Sequence, residues 1–264
     1  MVFGYHSFSI NDIDMRKYGL IGYPLGHSFS KKYFTEKFRR ENISDCSYDN
    51  YPVESIDILP VILENDPEIS GLNVTIPWKT DVLKYIDVKE ACLNEIGAAN
   101  VLKIRRKEGS IIVSGFNSDI YGIRESLLPF INEELKNALV LGTGGAAKAV
   151  IYVLKSLGLS VINVSRRRKT GILQYEDVDK EIIEKTSIIV NTTPLGMYPD
   201  ISSLPAINYR LLNENHILFD LVYNPEMTLF LKQGKERGCK IITGLKMLYL
   251  QAERSWEIWN DPDI

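Results

Sequence analysis

The chain has 264 residues, of which 45% are apolar and 25% are charged, and its formal net charge at pH 7 is −3. This length allows one large domain or two ordinary ones, and the composition is typical of a soluble globular protein. The small negative charge does not favour a nucleic-acid partner, and no apolar run is long enough to predict a membrane span.

The three cysteines, Cys46, Cys92 and Cys239, lie far apart in the chain. Their number and spacing predict neither a metal-ligand cluster nor a disulfide framework, which favours a reducing compartment and a cytoplasmic protein. Residues 1–14 lack a basic segment followed by an apolar one, so we do not interpret them as a signal peptide. We treat them as an N-terminal extension of unknown fold.

The first half of the chain alternates apolar segments with amphipathic ones, which predicts alternating strands and helices. We expect strands at 17–22, 45–51 and 69–76, helices at 31–41, 53–65, 80–85 and 89–95, a hairpin of strands 101–105 and 111–114, and a helix at 120–128.

Two serines, Ser28 and Ser30, stand just before the predicted helix 31–41. Serine is a common helix N-cap, because its hydroxyl accepts a hydrogen bond from a free backbone N–H group. Hydroxyl donors and the positive end of the helix dipole also favour a bound carboxylate. The sequence leaves both interpretations open.

Two further loops carry charged groups next to predicted elements. Lys79 follows the strand 69–76, and Asp119 follows Asn117 just before the helix 120–128. By default a lysine in such a loop is a solvated charge, and an Asn-Ser-Asp run before a helix is an N-cap cluster.

The segment 142–147 has the pattern Gly-x-Gly-x-x-Ala and lies between a predicted strand, 137–141, and a predicted helix, 146–157. The first glycine permits a tight turn, the second permits close approach of a pyrophosphate, and the third small residue permits close packing of helix and strand. Free N–H groups at the helix start favour the same anion. A simple glycine turn is the alternative.

The next predicted strand, 160–164, ends at Ser165 and is followed by four cations at 166–169. An NAD-binding chain usually has Asp or Glu at this strand end, about 20 residues after the glycines, to hold the ribose. Guanidinium groups instead bind phosphate oxygens in pairs, so the cluster favours the 2′-phosphate of NADP. A solvated basic turn is the alternative.

The remainder alternates in the same way, which predicts a right-handed parallel sheet that binds ligands at the carboxyl ends of its strands. We expect strands at 187–191, 217–220 and 239–243, helices at 177–186 and 228–237, and a final amphipathic helix at 245–259.

A set of short motifs, spread in one order over nearly all of 15–259, resembles the shikimate dehydrogenase family. The motifs are 27–30 (HSFS), 73–79 (NVTIPWK), 97–100 (GAAN), 117–119 (NSD), 142–146 (GTGGA), 191–197 (NTTPLGM), 220–225 (DLVYNP) and 244–252 (GLKMLYLQA).

The resemblance implies an enzyme that reversibly reduces 3-dehydroshikimate to shikimate with NADPH, in aromatic amino-acid (chorismate) biosynthesis. It implies Lys79 and Asp119 as the catalytic pair and no metal. The substrate-binding residues that it implies are Ser28, Ser30, Thr75, Asn100, Tyr223 and Gln251. The NADP-binding residues that it implies are Gly142, Thr143, Gly144, Gly145, Ala146, Ser165, Arg166, Lys169, Thr192, Gly244 and Met247.

The chain departs from the family pattern at a few positions. Lys31 stands where proline often follows the second serine, Val101 stands where threonine often follows Asn100, and Ile120 stands where glycine often follows the aspartate. None of these changes removes a proposed catalytic group. The variant run 165–167 leaves open which arginine holds the phosphate.

The implied fold is α/β, with two α/β domains around an open cleft. A substrate domain, 15–118 with 245–264, would contain an open, mostly parallel sheet, and 119–244 would form a Rossmann-like NADP-binding domain. We expect a monomer or homodimer whose partner is a small-molecule substrate.

Two alternatives to this function remain. One is a quinate/shikimate dehydrogenase of broader specificity, although related quinate enzymes tend to have threonine in the serine pair. The other is a nucleotide-sensing module without catalysis, because a fold alone does not fix function. The retention of Lys79 and Asp119 argues against the second.

Overall fold

The structure, a computed structural model, describes residues 15–26 and 29–264. Most of the described chain forms two six-stranded sheets with helices packed against them. Ser28 and the segment 1–14 lie outside the described residues, so the expectations placed on them stay expectations. Among the helices described, none is both long and apolar enough to cross a membrane.

The first sheet is built by the first half of the chain. Its strands are β1 (Arg16–Gly22), β2 (Cys46–Pro52), β3 (Ile69–Val74), β4 (Val88–Lys89), β5 (Val101–Lys107) and β6 (Ser110–Phe116). The strand order is β2-β1-β3-β5-β6-β4. The pairs on either side of β1 are parallel, as is β4–β6, whereas β3–β5 and β5–β6 are antiparallel.

The helices of this half are α1 (Phe29–Arg40), α2 (Leu59–Asn65), α3 (Leu93–Ile96) and α4 (Ser118–Leu127). Two predictions here were wrong in part. The predicted helix 53–65 becomes regular only at Leu59, after a single 3₁₀ turn, with Pro60 in the first turn, where a missing N–H group costs nothing. The predicted helix 89–95 is shorter, because Val88 and Lys89 pair with β6 and Gly97 ends α3 in the left-handed conformation.

The second sheet is entirely parallel. Its strands are β7 (Asn137–Leu141), β8 (Ser160–Ser165), β9 (Leu173–Gln174), β10 (Ile188–Asn191), β11 (Ile217–Asp220) and β12 (Lys240–Ile242). Its helices are α5 (Gly145–Ser156), α6 (Lys180–Lys185) and α7 (Leu229–Glu236). The two-residue strand β9 is the one strand of this sheet that the sequence pattern did not predict.

The strand order of the second sheet is β12-β11-β10-β7-β8-β9, which is the order of dinucleotide-binding domains. The chain moves outward from β7 through β8 to β9 and then returns to β10 on the other side of β7. The carboxyl ends of β7 and β10 therefore flank the switch point, which is where such sheets bind ligands.

Two helices join the sheets. The buried residues Ile123 and Leu127 of α4 pack with the apolar cluster around β7 and α5. The last helix, α8 (Gly244–Asn260), returns to the first sheet, where Trp259 donates a hydrogen bond to the Leu102 carbonyl at 3.0 Å. Gly122 allows α4 and α8 to approach closely, since a Cβ atom there would lie 2.7 Å from the Met247 carbonyl oxygen.

Candidate active site

Lys79 and Asp119 form an ion pair in the structure. Lys79 lies in the loop after β3, and Asp119 is the second residue of α4. Lys79 Nζ donates a hydrogen bond to Asp119 Oδ2 at 2.6 Å. The lysine side chain is 17% exposed and the aspartate side chain 5%. The carboxylate is thus almost fully shielded from water, whereas the lysine side chain is partly exposed.

The start of α4 explains why Asp119 is available for this pair. Asn117 is the N-cap, and its Oδ1 accepts a hydrogen bond from Ile120 N at 3.3 Å. The N-cap interpretation is therefore confirmed for Asn117. Ser118, which is fully buried, bonds the side chain of Asn100 instead of capping the helix. The cap bond therefore does not use the Asp119 carboxylate.

The short segment 97–100 holds both members of the pair. Ala99 N donates to the Lys79 carbonyl at 2.8 Å, which fixes the backbone of the lysine. Asn100 Oδ1 accepts from Ser118 N at 2.7 Å, and its Nδ2 donates to Ser118 Oγ at 3.1 Å, which fixes the start of α4. These bonds use one amide hydrogen and one lone pair of the Asn100 side chain, so the second amide hydrogen and the other lone pair remain to bind a substrate hydroxyl.

A row of buried polar side chains adjoins the ion pair; its members are Tyr48, Asn73, Ser255 and Ser118. Tyr48 Oη donates to Asn73 Oδ1 at 2.9 Å, and Asn73 Nδ2 donates to Ser255 Oγ at 2.9 Å. Ser118 Oγ lies 3.1 Å from Ser255 Oγ and 3.4 Å from Gln251 Oε1, which brings Gln251 of α8 to the same place. This row fixes α8 against the first sheet on the side where Asp119 lies.

Ser30 reaches one end of this row. It lies within α1, which begins at Phe29, so Ser30 is not the N-cap of that helix. Burial raises the pKa of Tyr48, and a hydrogen bond with Ser30 opposes that rise. Thr75 is the first residue after β3 and starts the turn toward Lys79, since its carbonyl accepts from Trp78 N at 2.9 Å.

Tyr223 meets α1 from the second sheet. It follows β11, and its ring centroid lies 5.8 Å from that of Phe29, the neighbour of the two serines. Phe29 in turn contacts Tyr249 of α8 edge-on, at 5.1 Å. Burial raises the pKa of Tyr223, so its phenol stays protonated and able to donate a hydrogen bond.

The glycine loop has the geometry that the fingerprint predicts. Gly142 has a φ of +120°, which few other residues adopt, and a Cβ atom there would lie 2.4 Å from Thr192 Oγ1. Asn163 Nδ2 donates to the Gly142 carbonyl at 2.6 Å and holds the loop from β8. Thr192 lies at the carboxyl end of β10, so the loop and Thr192 flank the switch point.

The start of α5 provides backbone donors. Gly144 is its N-cap, and within the described chain no side chain caps this helix. The N–H groups of Gly145 and Ala146 in the first turn are therefore suited to an anion such as a pyrophosphate. A Cβ atom on Gly145 would lie 3.1 Å from Lys79 Cβ, so the glycine loop directly adjoins the ion pair.

The basic turn after β8 lies against the same loop. Ser165 is buried, and its hydroxyl accepts a hydrogen bond from Arg167 N at 3.1 Å, which orders the turn. The four cations 166–169 are exposed. Lys169 Nζ donates to Thr143 Oγ1 at 3.3 Å, so at least one cation of the turn reaches the glycine loop.

Gly244 and Met247, the first and fourth residues of α8, lie on the other side of the switch point. A Cβ atom on Gly244 would lie 2.6 Å from the Leu221 carbonyl oxygen, so this helix start packs on the loop after β11. Met247 is buried and packs against Gly122 of α4. Gly122 lies three residues after Asp119 in the sequence. The predicted cofactor residues thus lie at the carboxyl ends of β7, β8, β10 and β12 or in the segments that follow these strands.

Three residues near these strand ends were given no role from the sequence, although Asp220 begins the motif 220–225. Asn163 holds the glycine loop, Lys148 reaches from α5 to Gly97, and Asp220 organises the loops beside β11. Asp220 accepts hydrogen bonds from Asn191 Nδ2, Thr228 Oγ1 and Val222 N, at 2.9, 2.6 and 3.0 Å. Burial raises its pKa to about 6, although these donors lower it in part.

Comparisons with known proteins give one consistent family. Residues 20–102 match the family model described as the shikimate dehydrogenase substrate binding domain. A relative from Clostridium beijerinckii, named shikimate dehydrogenase (NADP(+)), is 37% identical, and the alignment covers 94% of this chain and 93% of the relative. The chain belongs to the shikimate dehydrogenase family.

Solved structures of the family have the same fold. Shikimate dehydrogenase 1 from Peptoclostridium difficile superposes with a TM-score of 0.81 at 35% identity, covering 95% of this chain and 93% of that one. The Thermus thermophilus shikimate 5-dehydrogenase, solved in complex with NADP(H) and shikimate, superposes with a TM-score of 0.79 at 30% identity, with 93% and 94% covered. The expected two-part α/β fold is confirmed.

Proposed function

We propose that this protein catalyses the reversible, NADPH-dependent reduction of 3-dehydroshikimate to shikimate, a step of chorismate biosynthesis. The observation that carries the proposal is the contact between the Lys79–Asp119 pair and Gly145, which joins an acid–base pair to a nucleotide loop. The family relationship supports the same reaction, since the relatives carry that name.

The residues present fit NADPH. The first turn of α5 offers backbone donors for the pyrophosphate. The exposed cations 166–169, with no acid at the end of β8, suit a 2′-phosphate better than a free ribose hydroxyl. We assign Ser165, Arg166 and Lys169 to that phosphate, and Gly244 with Met247 to the nicotinamide side. When bound, NADPH supplies the hydride for the carbonyl carbon.

The chain supplies the proton and the orientation. As the carbonyl of the substrate is reduced, its oxygen gains negative charge and takes a proton from Lys79. Asp119 holds the ammonium in place and accepts a hydrogen bond from a neighbouring ring hydroxyl. In the reverse direction Lys79 accepts the proton from the alcohol. Acid–base help of this kind is typically worth about 10²–10⁴-fold in rate.

We assign the remaining candidates to substrate binding. Ser28 and Ser30, with the protonated Tyr223, would hold the carboxylate at the start of α1. Thr75, Asn100 and Gln251 would bind the ring hydroxyls. We also propose that 15–118 with 245–264 act as the substrate domain and that 119–244 act as the nucleotide domain, since α4 and α8 cross between the two sheets.

The test is a set of initial rates for oxidation of shikimate and of quinate, each with NADP⁺ and with NAD⁺. We expect shikimate with NADP⁺ to give by far the highest kcat/KM. A higher value with quinate would favour the broader enzyme, and NADP⁺ binding without oxidation of either compound would favour a nucleotide-sensing module.

A further inference from the structure

Lys148 links the nucleotide helix to the loop that holds the catalytic lysine. It lies in the first turns of α5, where a positive charge opposes the helix dipole and is unfavourable unless the ammonium finds a partner. Its Nζ donates a hydrogen bond to the carbonyl of Gly97 at 3.0 Å. The bond joins residues 51 positions apart, on a helix of the second sheet and a loop of the first.

Gly97 is shaped to receive this ammonium. It ends α3 with a φ of +62°, in the left-handed region that favours glycine. A Cβ atom at this position would lie only 3.3 Å from Lys148 Nζ. The absence of a side chain at Gly97 therefore serves both the turn and the close approach of the lysine.

From Gly97 the connection continues to Lys79. Ala99 N, two residues on, donates to the Lys79 carbonyl at 2.8 Å. A Cβ atom on Gly145 would lie 3.1 Å from Lys79 Cβ and 3.5 Å from Ala98 Cβ. Gly145 and Lys148 are three residues apart and lie on one face of α5, so that face contacts the loop 97–99 and the catalytic lysine together.

The geometry points to Lys148 as a positioning residue that sets the distance between the glycine loop and Lys79. This inference rests on the proposed function, because it concerns the alignment of the proton donor with the cofactor site. In the described chain no hydrogen bond or ion pair joins Lys148 to Asp119 or Lys79, so it would act through the backbone of 97–99. If the bond is lost, α4 and α8 still join the two sheets, but the loop 97–99 loses its hydrogen bond to α5 and shifts relative to the glycine loop.

The test compares Lys148→Met with Lys148→Arg and with the control Lys155→Met, which changes an exposed lysine of the same helix. The first measurement is backbone hydrogen exchange of the segment 93–103 in the protein without ligands. We expect faster exchange in Lys148→Met, because the bond from Ala99 N to Lys79 O loses its support. Arginine, which can still donate to the carbonyl, should restore the protection.

The second measurement is kinetic. In Lys148→Met we expect kcat to fall by about tenfold or more, since misplacement by about 1 Å costs up to about a hundredfold. The dissociation constants of NADP⁺ and of shikimate, each measured alone, should change by less than about twofold. The arginine variant should recover most of kcat, and Lys155→Met should match the wild type.

Three results would overturn the inference. The first is unchanged hydrogen exchange and unchanged kcat in Lys148→Met. The second is an increase of the NADP⁺ dissociation constant that accounts for the whole loss of activity. The third is an equal loss of kcat in Lys155→Met. The second would assign Lys148 to the cofactor phosphates. A wild-type protein that does not oxidise shikimate would refute the proposed function, whereas the exchange measurement would still test the contact.

Discussion

Replacement of Lys79 should lower both the folding stability and the catalytic rate, and the two losses should follow different patterns among the variants of the pair. At 2.6 Å and an effective dielectric constant of about 20, the Coulomb attraction of the pair is about 6 kcal/mol, and desolvation of the two ions offsets most of it. Loss of one partner from a buried pair costs about 3–5 kcal/mol, because the other charge stays uncompensated. Since Asp119 is 5% exposed and Lys79 17%, we expect Lys79→Met to lower the free energy of unfolding by about 3 kcal/mol.

Replacement of the aspartate should lower the free energy of unfolding less than replacement of the lysine. In Asp119→Asn the lysine can turn toward water, so we expect a loss of about 1 kcal/mol. The double variant has no buried unpaired charge and should be more stable than Lys79→Met alone. Urea unfolding of the wild type and the three variants at pH 7 measures these differences.

The kinetic pattern should differ from the stability pattern. Each single variant should lower kcat by about 10² or more, with little change of KM in Lys79→Met. The double variant should lose no more than the worse single variant, because the two groups act as one unit. Independent, multiplicative losses of kcat, or a Lys79→Met variant with nearly normal kcat, would refute the assignment of these residues as a catalytic pair.

Three further predictions concern the cofactor site, the carboxylate site and pH. Arg166→Ala should weaken NADPH binding by about tenfold and change NADH binding little, because one charge-assisted hydrogen bond to the 2′-phosphate is lost; equal losses for both cofactors, in titrations followed by fluorescence, would contradict this. Ser30→Ala should mainly raise KM for shikimate, because the hydroxyl would bind ground state and transition state alike, and a loss confined to kcat would argue against its role. Because burial raises the pKa of Asp220 from 3.8 to about 6, the folded protein holds this proton more tightly than the unfolded chain, so this group makes stability fall as pH rises through that range. The free energy of unfolding of Asp220→Asn, minus that of the wild type, should therefore rise by about 2 kcal/mol from pH 4.5 to pH 7.5. If urea unfolding gives the same difference at both pH values, the pKa of Asp220 is not raised.

The second sheet was largely predictable because its central strands β7, β10 and β11 are short, apolar and buried on both faces. The strands Asn137–Leu141 and Ile217–Asp220 match the predicted bounds. Strands of two residues, such as Leu173–Gln174 and Val88–Lys89, have no periodicity of their own and form because a neighbouring strand offers its free edge.

The candidate site was only partly predictable, because some of its features are local in the sequence and others join distant segments. The glycine loop and the basic turn are local patterns with a local physical meaning, so the sequence alone suggests them. The pairing of Lys79 with Asp119 spans 40 residues, and it was reached through the family resemblance. The contact of Lys148 with Gly97 depends on how α5 meets the first sheet, and its one visible signal was a lysine within an otherwise apolar helix start.

In the proposed reaction, Lys79 and Asp119 lie beside the oxygen of the carbonyl group that is reduced, next to the nicotinamide. A crystal structure with NADP⁺ and shikimate bound tests it most directly. We expect Lys79 Nζ within about 3.2 Å of the ring hydroxyl nearest the nicotinamide, with Asp119 still bonded to Lys79. A complex in which other side chains contact that hydroxyl, while Lys79 points into solvent, would contradict the account.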